Sequence, residues 1–160
     1  MKSSGTKINY MIRRNVITWI TIVLSMPLVL ALFASCSRQP SYPPPLQNGT
    51  DVIIEVNELQ PETPKFFTYG YQGKSINFFV IKIQDKVLAF LDACVTCFPH
   101  KKGYRCEDGA VTCRYCNTKF SISQLEKGLG SCSPIKIEGR IEGGQYRIPA
   151  KTLEEAVGKF

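Results

Sequence analysis

The sequence predicts an all-β domain, a small sandwich or barrel of short strands with a cysteine-rich metal-binding subdomain and a short C-terminal helix. Three observations predict it. From Asp51 to Ala150, runs of β-branched and aromatic residues alternate with breaks such as "PETP" at 61–64, "QGK" at 72–74 and "QDK" at 84–86. That alternation is the mark of short strands joined as hairpins. Two Cys-x-x-Cys pairs, Cys94/Cys97 and Cys113/Cys116, have 15 residues between them. Helical patterning is clearest in the last stretch, "TLEEAVGKF", where Thr152 is placed as an N-cap with Glu155 at capping-box spacing.

The N-terminus stands apart from the domain. Residues 1–14 carry Lys2, Lys7, Arg13 and Arg14 and no acidic residue, and Asn15 to Cys36 carries no charge. A basic segment, an apolar stretch and small residues ahead of a cysteine read as a secretory signal. Ala34-Ser35-Cys36 resembles the lipobox of bacterial lipoproteins, which implies a lipidated Cys36; Phe33 departs from that box. The alternative is an uncleaved anchor, because the 19 residues from Val16 to Ala34 are near the minimum for a membrane span. Either way the body lies outside the cytoplasmic membrane, periplasmic or extracellular, since the basic flank stays inside. Three regions follow: 1–36 as signal or anchor, 37–50 as a Pro- and Ser-rich linker, and 51–160 as the cysteine-rich domain.

The charge does not describe a nucleic-acid binder. The formal net charge is +7, but all 13 acidic residues fall from Asp51 onward and four of the 20 basic ones belong to the signal. What remains is close to balance, and the expected partners are the membrane and a redox protein rather than nucleic acid.

Within the domain, "DVIIEV", "KFFTYGY", "SINFFVIKI" and "KVLAFLDA" read as strands in order. "AVTC", "TKFSI", "IKIEGRIEG" and "GQYRIPA" continue them, and "SQLEKG" has room for one helical turn.

The cysteines carry the chemistry. A Cys-x-x-Cys turn aims two sulfurs at one point, and two such turns on neighbouring loops build a tetrahedral four-thiolate site. Cys94, Cys97, Cys113 and Cys116 are the expected ligands. That donor set suits an iron–sulfur cluster, with zinc or a single iron as alternatives. The only histidine, His100, sits on a loop, so a Ser-His or Cys-His catalytic pair has little support. No glycine-rich phosphate loop occurs in a strand–helix context.

The surroundings of the pairs resemble the Rieske iron–sulfur domain, in which a strand runs into Cys-x-His and a later Cys-x-x-His is followed by Phe. Here "FLDACVTC" and "CRYCNTKF" put cysteine in both histidine places, so a two-histidine centre is excluded. An all-thiolate centre has a lower potential than a two-histidine one. The subdomain is accordingly expected to be Rieske-like or zinc-ribbon-like. The fuller sequence of motifs, "DACVTC", Gly103-Tyr104, "VTCRYCNTKF" and "GLGSCSPI" ending in Cys132, Pro134 and Ile135, resembles the FtrD-like family of membrane iron–sulfur proteins. Ser133 stands where that family usually has Asn.

That resemblance implies an exported, membrane-attached iron–sulfur protein that transfers electrons, linked to iron uptake through an iron-permease system. It also makes Cys132 the fifth family cysteine, either a ligand or a structural thiol beside the site. Cys106 matches nothing in the pattern and is expected to be a free thiol or bridged to Cys132. Lys101, Lys102, Arg105, Arg114 and Lys119 form a basic collar suited to offsetting thiolate charge, tuning the potential or docking an acidic partner. Phe98, Tyr104, Tyr115 and Phe120 are placed to shield the site. Other readings of the same residues are a structural zinc adaptor, and an extracytoplasmic thiol- or copper-handling protein.

Overall fold

Alternation along two long strands organises the molecule. In the computed structural model, described over residues 40–125, 127 and 132–160, β4 (Lys74–Ile83) and β5 (Lys86–Cys94) are buried along most of their length. Successive side chains of a strand point to opposite faces, so each strand feeds two cores. Ile76, Phe78 and Val80 of β4 and Ala89, Leu91 and Ala93 of β5 enter one core. Phe79, Ile81, Leu88, Phe90 and Cys94 enter the other. Full burial of such side chains contributes about 1.5–3 kcal/mol each.

These strands form the middle sheet, in the order β3-β4-β5-β9, with β3 at Lys65–Tyr71 and β9 at Pro134–Ile137. A second sheet runs β1-β2-β11-β10, from Leu46–Asn48, Asp51–Glu55, Gln145–Pro149 and Arg140–Glu142. Its Val52, Ile54, Tyr146 and Ile148 share the first core. A third sheet, β6-β7-β8 (Tyr104–Glu107, Ala110–Cys113, Lys119–Ser121), supplies Tyr104, Val111, Cys113 and Phe120 to the second core. The named pairings are antiparallel. Among the described residues helix is confined to α1 (Ile122–Leu125), α2 (Ala150–Glu155) and short 3₁₀ turns. The all-β expectation with a short C-terminal helix holds.

Tight turns join neighbours where the sequence breaks. Gln72 and Gly73, and Asp108 and Gly109, all have positive φ, as the two-residue hairpin turns that match strand twist require. Thr152 is not the N-cap it was expected to be. The last helix starts three residues earlier, at Ala150 after Pro149, and has no side-chain cap; its first N–H is taken by the Thr50 carbonyl at 2.8 Å.

From Pro40 onward the chain is laid against the domain: Asn77 Nδ2 donates to the Pro40 carbonyl at 2.8 Å, and the Tyr42 N–H to Thr68 Oγ1 at 2.9 Å. Tyr42 stacks on Phe66 with ring centroids 4.9 Å apart. Proline and aromatic side chains here dock on a ready sheet edge, which composition alone does not reveal. The signal or anchor, Cys36 and the glycine-rich turn at 128–131 lie outside the described residues.

Candidate metal centre

Three segments deliver the cysteines. Cys94 is the last residue of β5, and Cys113 the last of β7. Cys132 reaches the same place because β9 pairs with β5, setting Pro134 opposite Cys94 across an irregularity in register. Such irregularities re-aim side chains at functional sites.

Each Cys-x-x-Cys pair closes a small turn. The Thr96 and Cys97 N–H groups donate to Cys94 Sγ at 3.4 and 3.2 Å. Around the second pair, the Asn117 N–H donates to the Cys113 carbonyl at 3.0 Å, and the Cys113 N–H to the Thr118 carbonyl at 3.0 Å. Asn117 takes φ +58° to make that closure, a conformation asparagine tolerates well. The Arg114 N–H bonds the Gly103 carbonyl at 2.9 Å, tying one turn to the approach of the other.

Five sulfurs converge. Those of Cys94, Cys97, Cys113 and Cys132 all lie within 4.8 Å of one another. Cys132 Sγ is 2.8 Å from Cys94 Sγ, 3.2 Å from Cys97 Sγ and 2.8 Å from Cys116 Sγ. Cys94, Cys113 and Cys132 are buried, Cys97 is half-buried, and Cys116 is exposed with its sulfur 3.2 Å from Thr118 Oγ1. Cys132, the residue sequence spacing left open, therefore sits amid the others, while Cys116 occupies the solvent edge. Cys106 is an exposed free thiol on β6.

The thiols do not share one electrostatic fate. Burial pushes the Cys97 thiol up to about 12, and burial raises Cys132 as well. Burial also opposes ionisation of Cys116, but hydrogen bonds from Cys132 and Thr118 outweigh it and bring that thiol down to about 6. The same balance lowers Cys94, through Cys132 and the amides of Cys97 and Thr96. Several thiolates packed this closely are stable together only around a multivalent cation. The donor set fits such a group: soft sulfurs with amide N–H bonds and no carboxylate or imidazole among the clustered atoms.

Aromatics and charges complete the site. Tyr104 is fully buried; its backbone N–H donates to Asp92 Oδ1 at 2.6 Å and its hydroxyl to the Cys132 carbonyl at 2.7 Å. Phe120 is buried in the same core. His100 stacks on Tyr115 with centroids 3.6 Å apart, joining the loop after the first pair to the turn of the second. The basic collar divides. Arg105 and Lys119 both face Glu107, at 2.9 and 3.8 Å, and Arg114 Nε donates to the Tyr104 carbonyl at 2.7 Å. Lys101 and Lys102 instead line a hollow against Cys94, Cys97 and Cys113.

Sequence reasoning missed three contributors: Asp92, Lys159 and the His100–Tyr115 stack. Asp92 was visible as a carboxylate two residues before Cys94 on a strand with period 2, hence on the same face. Lys159 joins the same hollow from the C-terminal turn, 4.6 Å above the Phe98 ring, and no local signal announces it.

The model of the FtrD-like family, described as membrane iron–sulfur containing protein, matches residues 59–160. No curated protein matches the chain. Among solved structures, the ferredoxin of carbazole 1,9a-dioxygenase from Nocardioides aromaticivorans IC177 is a loose likeness. It has 16% identity and a TM-score of 0.38 over 62% of this chain and 97% of that one. Because the family match spans well over half of the chain and contains the whole cysteine cage, the protein belongs to the FtrD-like family of membrane iron–sulfur containing proteins, and its cofactor is an iron–sulfur group.

Proposed function

We propose that the protein carries single electrons through its cysteine-held centre on the extracytoplasmic face of the membrane, in the service of iron uptake. The observation that carries this reading is the convergence of five thiols, three of them buried, at the end of a two-faced sheet. When bound, the iron–sulfur group supplies a one-electron couple. Cys94, Cys97, Cys113, Cys132 and Cys116 are the side chains available to hold it. The Thr96 and Cys97 amides stabilise the Cys94 thiolate, and the Tyr104 ring excludes water from one side. Nothing in this set resembles a nucleophile paired with a general base, so an electron carrier suits it better than a hydrolase.

Attachment rests on the N-terminal segment, by lipid on Cys36 or by the Val16–Ala34 stretch. Among the described residues no helix is long and apolar enough to cross a membrane. The basic residues ahead of it favour an outward-facing body. The link to an iron permease rests on the family resemblance.

The test is elemental analysis and electron paramagnetic resonance on the full chain, purified in detergent without oxygen. The expected result is iron and acid-labile sulfide in equal amounts with a signal that appears on reduction. Zinc alone, with no signal, would make the cage a structural staple and end the electron-transfer reading. Radio-iron uptake by cells carrying the Cys94→Ser, Cys113→Ser protein should fall to the level of cells without the protein.

A further inference from the structure

The hollow over the cage is the part of the surface that the fold alone does not explain. Its lining includes Cys94, Cys97 and Cys113 together with Lys101, Lys102 and Lys159. Its enclosed volume is about 10 Å³, room for roughly one water. No metabolite fits there. The hollow is therefore a place where something approaches from outside, and two features describe what approaches.

The first is charge. Elsewhere in the collar Glu107 faces both Arg105 and Lys119, so those two cations are locally offset. Around the hollow, Lys101 and Lys159 come from separate segments, the loop after Cys97 and the C-terminal turn, and bring two amines to one opening. The second is apolar exposure. Among the described residues, the exposed large hydrophobics are Leu46, Val95, Tyr115 and Ile141. Two of these four occupy the variable places of the two Cys-x-x-Cys turns: Val95 follows Cys94 at 53% exposure, and Tyr115 precedes Cys116 at 49%. His100 stacked on Tyr115 holds that ring in place. A folded domain gains nothing by exposing apolar side chains on its metal-binding turns. An interface does: aromatic side chains at its centre and charges at its rim are the usual composition.

We propose that the Lys101–Lys159 side of the cage, with Tyr115 and Val95, is the docking face for a one-electron redox protein whose own surface is acidic. The inference rests on the electron-transfer reading above and adds the partner's chemistry and direction of approach. A partner carboxylate takes the place over the hollow, between the lysine amines, and the partner's apolar centre meets Tyr115. One electron leaves the reduced centre and reduces the partner's acceptor by one electron, with no proton or bond transferred. Opposite charges on such faces act chiefly on the rate of encounter and weaken as salt rises.

The experiment uses the full chain in detergent, loaded with its cluster and reduced with dithionite, in stopped flow. Ferricyanide serves as the anionic one-electron acceptor and hexaammineruthenium(III) as the cationic one. The ferricyanide rate is expected to fall by about threefold or more between roughly 20 and 200 mM salt, with the opposite trend for the ruthenium complex. Poly-L-glutamate should slow the ferricyanide reaction at low salt. In Lys101→Glu, Lys159→Glu the salt dependence should reverse, and in Lys101→Gln, Lys159→Gln it should flatten with an unchanged spectrum. A wild-type ferricyanide rate that is flat or rises with salt overturns the proposal, as does a charge-reversed variant that behaves as wild type. A chain with no reducible iron reacts with neither reagent and defeats the electron-transfer reading itself.

Discussion

The hydroxyl of Tyr104 donates to the carbonyl of Cys132 at 2.7 Å while the backbone N–H of the same tyrosine donates to Asp92 at 2.6 Å. One buried residue thus pins the Cys132 segment to the third sheet and the third sheet to β5. Replacing Tyr104 by Phe keeps the ring and removes the first of these bonds. A buried carbonyl left without that donor costs about 1–3 kcal/mol. The loaded Tyr104→Phe protein should therefore melt several degrees lower and lose its visible absorption faster on exposure to a chelator. Identical melting and identical iron release in the two proteins would mean that the contact does not support the cage.

The cage has five sulfurs for four ligand places, and geometry ranks them. Cys94, Cys97, Cys113 and Cys132 are mutually close and mostly buried, whereas Cys116 is exposed and sits at the edge. Cys132→Ser should strip most of the iron from the purified protein, and Cys116→Ser should retain the larger share with an altered spectrum. Iron and sulfide per chain, measured on both variants prepared side by side, check the ranking. The reverse order would restore the four cysteines that sequence spacing alone selects.

Much of this was legible in the sequence because it rests on local periodicity. Runs such as "KFFTYGY" and "AVTC" coincide with β3 and β7 residue for residue, since β-branched and aromatic side chains declare themselves. The Asp108-Gly109 turn that forms the β6–β7 hairpin is equally local, a dipeptide of the strongest hairpin type. What stayed hidden depends on pairing between distant segments. Cys132 reaches Cys94 only through the β5–β9 ladder, 38 residues apart in sequence. Lys159 meets the cage through the packing of the C-terminus, and Glu107 gathers Arg105 and Lys119 from two strands of the third sheet. None of these distances is written in the spacing of any motif.

Tyr146 gives a prediction in pH. It is buried in the core beside Gly139, where a Cβ would stand 2.6 Å from the tyrosine Cζ, so the glycine is fitted to the ring. Burial, then the charge of Glu138, raises its hydroxyl from 10.0 to about 12. In the unfolded chain the phenol ionises near pH 10, two decades before it does so in the fold. The folded state holds that proton more tightly, so its contribution is complete below pH 10 and is lost as pH rises toward 12. The total is about 2–3 kcal/mol for this one residue. Burial raises Tyr69 and Tyr104 in the same direction. Urea midpoints should thus decline steadily from pH 9.5 upward, with tyrosinate absorbance rising in the same transition. Tyr146→Phe, which cannot ionise, should lower the midpoint little at pH 8 and make the alkaline decline shallower. A decline of unchanged slope in that variant would place the alkaline sensitivity elsewhere.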